Sequence, residues 1–170
     1  MVKHWTEAEL SAELKKLTII ADSREQVNNH LTEWWEQKGI QYITRKLDVG
    51  DYSVQIGDMT LEEDIVIERK RNLDEIAGNF TSARERFERE FLRAKASGTK
   101  VFLIIENATW EDIYLHNYRS QLSEKSLVAS LLSFQIRFNI TILFCAPQNT
   151  PRLIYNLLYY AAREQLKRWK

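Results

Sequence analysis

A chain of 170 residues, 44% hydrophobic and 28% charged, is sized for one domain with its own core, expected over residues 1–170. Its 24 Lys plus Arg balance 24 Asp plus Glu, which disfavours a nonspecific nucleic-acid coat protein but not an enzyme whose acids offset its basic residues. No apolar run reaches bilayer length and residues 1 to 17 carry no signal-peptide core, so no membrane association and an intracellular, cytoplasmic or nucleoid-associated setting are expected.

In chain order, "LTIIA" (Leu17 to Ala21) has the pattern of a buried strand. Val27, Leu31, Trp34 and Trp35 then share a helical face, with Ser23 and Gln26 spaced as a capping box and Gly39 as a stop. "IQYITRKLDV" is extended, and "YSVQIGDMTLEEDIVIE" alternates about Gly57 and Asp58 as a hairpin does. A helix with the stripe Ala83, Phe87, Phe91 and Ala94 follows, with Ser82 and Glu85 as a second capping box and Gly98 closing it. "VFLII" and "ITILF" are apolar throughout and are expected at the centre of a sheet, covered on both faces. Between them lies a helix with Leu127, Val128, Leu131, Leu132 and Phe134, and a last helix opens at Thr150 and Pro151. Strands alternating with helices predict an α/β domain with a mixed central β-sheet flanked by helices. The single Cys145 is expected to be a small buried hydrophobe, and His4, His30 and His116 lack ligand-like spacing, so a zinc site is not expected.

The run "DIVIERK" takes a buried strand straight into three charges. Side chains two apart share a face, so Glu68 and Lys70 point one way and Arg69 the other. A carboxylate beside an ammonium suits metal-assisted phosphodiester cleavage, the acid holding a divalent ion and the amine orienting or deprotonating the attacking water. Mg²⁺ wants a second hard ligand. Asp51, after Gly50, returns beside Glu68 if the hairpin pairs tightly, and Asp22 ends the first strand, where open α/β sheets place ligands. Each has an ordinary reading as well: Asp22 as a turn or helix-start residue, Asp51 as a turn residue, Glu68 to Lys70 as a solvated strand end, Asp74 as first-turn decoration.

In combination, "ADSRE", "VGDY" and "VIERKRNLDEIAG", in that order, resemble the nuclease domain of the XPF-type structure-specific endonucleases. The family's GD, ERK and an Asp four residues beyond the Lys are met by Gly50-Asp51, Glu68-Arg69-Lys70 and Asp74, and its Asp-x-Arg-Glu by Asp22, Arg24 and Glu25. The likeness runs on through "FTSARERFEREF" and "SLLSFQIRFNITILF", about residues 17 to 162. It implies a restriction-endonuclease-like fold and Mg²⁺- or Mn²⁺-dependent cleavage of branched or flap-type DNA in repair or recombination. By position, Asp51, Glu68 and Asp22 are the implied metal ligands and Lys70 acts on the water. Arg24, Glu25, Arg69 and Asp74 support, and Arg86 matches an arginine in the following helix.

Family members usually carry a tandem helix-hairpin-helix domain after the nuclease, and only one helix follows Phe144. A compact stand-alone form is therefore expected, served by a separate DNA-binding or replication/repair partner. Arg69, Arg71 and Arg86 are the expected phosphate contacts. The last helix, with Leu153, Ile154, Leu157, Leu158, Tyr155, Tyr159 and Tyr160, has more apolar surface than one face needs, and the resemblance makes a homodimer through C-terminal helices the expected assembly. Two other readings remain: a non-catalytic scaffold subunit, which typically lacks GD or ERK residues, and a nicking or restriction-type enzyme on the same fold.

Overall fold

The computed structural model describes residues 5–168, leaving His4 outside. Seven strands form one sheet, β1 (Leu17–Asp22), β2 (Gln41–Arg45), β3 (Tyr52–Ile56), β4 (Met59–Thr60), β5 (Ile65–Lys70), β6 (Lys100–Glu106) and β7 (Thr141–Cys145). Their order is β2-β1-β3-β5-β6-β7, with β4 paired to β3 off this path. β1 and β2, β5 and β6, and β6 and β7 run parallel, whereas β3 is antiparallel to β1 and β5. The mixed α/β architecture is as expected, and the hairpin turn falls at Gly57 and Asp58, with Ile56 opposite Met59.

Among the described residues seven α-helices surround the sheet, α1 (Glu7–Leu14), α2 (Asn29–Gln37), α3 (Leu73–Phe80), α4 (Arg84–Ser97), α5 (Trp110–Tyr114), α6 (Glu124–Phe138) and α7 (Thr150–Arg168). Strand alternation divides the core into two layers. Ile19, Ile67 and Ile104 pack with Leu31 and Trp35 of α2 and with Ile154 and Leu158 of α7. Val66, Leu103 and Ile105 pack on the other face with Phe80 of α3, Phe87 and Phe91 of α4 and Phe134 of α6. The four phenylalanines meet mostly edge to face, with centroids as close as 4.7 Å, and each fully buried side chain of this size contributes roughly 1.5–3 kcal/mol.

Some local expectations are corrected. β7 is an edge strand, half-buried along its length, with Leu143 and Cys145 against one core and Ile142 and Phe144 against the other but no strand beyond it. Cys145 is half-buried with it. Neither capping box forms: α2 starts after Asn28 and α4 after Ala83, and neither start has a side-chain cap. A genuine capping box opens α1 instead, where Glu9 N donates to Thr6 Oγ1 and Thr6 N to Glu9 Oε2. Thr150 begins α7 in continuation of a 3-10 turn, and its hydroxyl donates back to Ala146 O.

Candidate active site

Three chain segments are stitched together at Asp51. Its N–H donates to Ile67 O of β5 at 2.8 Å, and its carbonyl accepts from Asp22 N of β1 at 2.7 Å. Its Oδ2 accepts from Arg69 N, also at 2.7 Å. Gly50 makes this approach possible. Its φ is +76°, and a Cβ there would lie 2.7 Å from Val66 Cβ and 3.2 Å from Ile67 O, so only glycine brings the turn this close to β5.

Glu68 and Lys70 share the α4 face of β5, as two-residue alternation requires. Lys70 Nζ donates to Glu68 Oε1 at 2.7 Å and lies 5.1 Å from the centroid of the Phe87 ring. These residues line a cavity of about 340 Å³, together with Asp22, Arg24, Glu25, Asp48, Glu75, Arg86 and Glu90.

The electrostatics are those of an under-neutralised pair. Burial pushes the Asp51 carboxyl well above its usual range, and the charges of Glu68 and Glu25 push it further, against the pull of Lys70. Burial also raises Glu90, with Glu68 adding to it. Burial works to lower the Lys70 amine, but Glu68 and Asp51 outweigh it and the net shift is upward. Lys70 therefore carries its proton at neutral pH in this structure and donates it in a hydrogen bond to Glu68. Two acids converging on one ammonium leave negative charge that a divalent cation would neutralise, and Mg²⁺ is commonly held by one or two carboxylates with waters and substrate phosphate. Asp51 and Glu68 fit that role.

Asp22 is placed differently from the expected third ligand. Its Oδ1 accepts from Arg24 N and Nε at 2.7 and 2.8 Å, and its Oδ2 from Arg24 Nη2 and Leu47 N at 2.9 and 2.7 Å. Burial would raise this carboxyl, but these bonds together lower it. Among the described residues no three Asp, Glu, His or Cys side chains converge as a cation cage.

Arg69 and Asp74, expected as supporting residues, are held by partners of their own. Arg69 borders the cavity, but its guanidinium is buried against Glu106 and Glu25 rather than exposed for the phosphate contact expected of it. Asp74 sits outside the cavity, where Oδ1 accepts the N–H groups of Arg119 and Ser120, both at 2.8 Å. Glu25 is drawn from the cavity wall towards Arg69, Arg24 stands at the rim, Arg71 pairs with Glu75, and Arg86 lines the cavity from α4.

Glu90, Glu106 and His30 were not singled out from the sequence. The four-residue step from Arg86 to Glu90 puts both on one face of α4, which was the available signal for Glu90. Glu106 and His30 had none, since their pairing at 2.8 Å joins distant segments.

A family model described as the ERCC4 domain matches residues 21–157. No curated protein matches the chain. Solved structures of XPF from Aeropyrum pernix are similar: one has a TM-score of 0.63 at 24% identity over 89% of this chain. Another, titled as a complex with DNA, has a TM-score of 0.62 at 24% identity over 88%. The chain spans 66% and 65% of the length of those two structures.

Proposed function

Since the chain belongs to the ERCC4 domain family, we propose that it is a divalent-metal-dependent DNA endonuclease that hydrolyses phosphodiesters in branched or flap-type DNA during repair or recombination. The observation that carries this reading is the meeting of Asp51, Glu68 and a protonated Lys70 in one cavity. The bound-DNA title of one similar structure supports the substrate class.

Asp51 and Glu68 would hold a Mg²⁺ or Mn²⁺ ion, whose chemistry when bound would be to offset phosphate charge and acidify the attacking water. Lys70 orients that water, or a non-bridging phosphate oxygen, by donating a hydrogen bond. Asp22 serves as an anchor, fixing Leu47 N and the Arg24 guanidinium at the cavity rim. Arg24 and Arg86, which line the cavity, and Arg71, paired with Glu75, are the cations proposed to meet DNA phosphates, while Asp48, Glu75 and Glu90 keep the surroundings acidic. A second copy is the proposed partner along α7, where Phe102, Leu153, Leu157, Tyr160 and Ala161 line an apolar groove. Such an enzyme works where the DNA is, in the cytoplasm beside the nucleoid.

The test uses labelled flap, fork, nicked and plain duplex DNA with Mg²⁺ or Mn²⁺. Incision is expected in wild type and should vanish in Glu68→Ala and Asp51→Asn while circular dichroism stays native. Incision that survives both changes removes the assigned site. Wild type that binds DNA without cutting any substrate favours the scaffold reading.

A further inference from the structure

Behind the cavity, reaching from Glu25 in its wall to the α7 face of the sheet, lies a line of charges that the proposed reaction does not use. The Arg69 and Glu106 side chains are 1% and 3% exposed. Arg69 Nη2 donates to Glu106 Oε2 at 3.0 Å and to Val27 O at 3.1 Å, while Nη1 faces Glu25 Oε2 at 3.3 Å. His30 Nε2 lies 2.8 Å from Glu106 Oε1. Arg69 Nε and Nη1 are buried without a hydrogen-bond partner among the described residues, so Nη2 holds the group in place. Val27, β-branched with φ +55°, is in a costly conformation, and its carbonyl is gripped by this guanidinium.

The main chain of Arg69 acts on the other side, where its N–H donates to Asp51 Oδ2 at 2.7 Å. We infer that Glu106, steadied by His30, is a positioning residue for the cavity: by fixing the Arg69 side chain on one face it fixes the N–H that aims Asp51 on the other. The inference rests on the nuclease reading above. Both elements are parallel neighbours, Arg69 pairing with Ile104 two residues before Glu106, so the side-chain contact and the strand register reinforce each other. A neutral amide at position 106 keeps an acceptor oxygen but withdraws the counter-charge from a cation that has no route to water.

The test is Mn²⁺ binding by the whole chain without DNA, read as free Mn²⁺ by electron paramagnetic resonance, alongside incision kinetics on flap DNA. Glu106→Gln is expected to weaken Mn²⁺ about 10–100-fold, the usual effect of losing an orienting partner. KM for DNA should hold, and excess Mn²⁺ should restore incision. His30→Ala, at a half-exposed ring, should weaken Mn²⁺ in the same direction by less, and it carries the test should Glu106→Gln not fold. Wild-type Mn²⁺ affinity in the folded variants overturns the inference, whether incision falls or not. Wild type that binds no Mn²⁺ overturns the nuclease reading itself, a result that needs no variant to recognise.

Discussion

Asp51 is a carboxylate in a place where a negative charge is costly, and that cost is measurable. Burial, Glu68 and Glu25 raise it well above its ordinary value of 3.8, so between that value and the folded one the folded chain keeps a proton that the unfolded chain releases. Its contribution to stability is therefore greatest below that value and is lost as pH rises through the folded one. Asp51→Asn does not titrate. In EDTA, its thermal midpoint should exceed that of wild type at neutral pH, by about 2–4 °C per kcal/mol relieved, and the gap should close in acid. Mg²⁺ or Mn²⁺ should raise the midpoint of wild type only; parallel pH profiles would rule this out. Asp74 predicts something else. Asp74→Ala releases two N–H groups of the segment around Arg119, costing about 1–2 kcal/mol, with faster amide exchange at Arg119 and Ser120 as the check. Asp51, Glu68 and Lys70 were legible because alternation alone puts Glu68 beside Lys70 and a tight hairpin returns Asp51. The burial of Arg69 was not, because its partners Glu25 and Glu106 arrive from the segment after β1 and from β6, and a charge ending an apolar strand looks like one reaching solvent.

The turn into β3 shows how an element carries chemistry by its path. Gly50→Ala places a Cβ 2.7 Å from Val66 Cβ and in a positive-φ backbone, costing about 1–3 kcal/mol. Urea unfolding should show that loss, and Mn²⁺ affinity should fall with it as the turn withdraws Asp51 from β5. An Ala variant with native stability and affinity would mean the close approach is dispensable. Strands and long helices were readable from their periodicity. Helix starts at α2 and α4 were not, since Ser23 and Ser82 fit a capping pattern while the chain runs on through a turn before each helix. α1 and α5 are short, and their apolar residues are too few to announce a face. β7 was misplaced because composition says that a strand is apolar but not that the sheet continues past it.

At the scale of the whole molecule, the sheet separates two cores, with the cavity on the α4 side and the Arg69 cluster on the α7 side. With a formal charge of zero, binding to duplex must come from local arginines or from a second subunit, not from a general basic field. If α7 carries the dimer, Tyr160→Glu, at a side chain 61% exposed, should yield a monomer in sedimentation equilibrium with an unchanged thermal midpoint. Wild type that sediments as a monomer at every concentration would end that proposal. The sheet also stops at β7, whose sequence TILFC has no charge and no proline. An outer edge of that kind recruits strands from other molecules when chains loosen on warming. Loss of solubility should begin there, and a lysine in place of Thr141 is the simplest gatekeeper against precipitation.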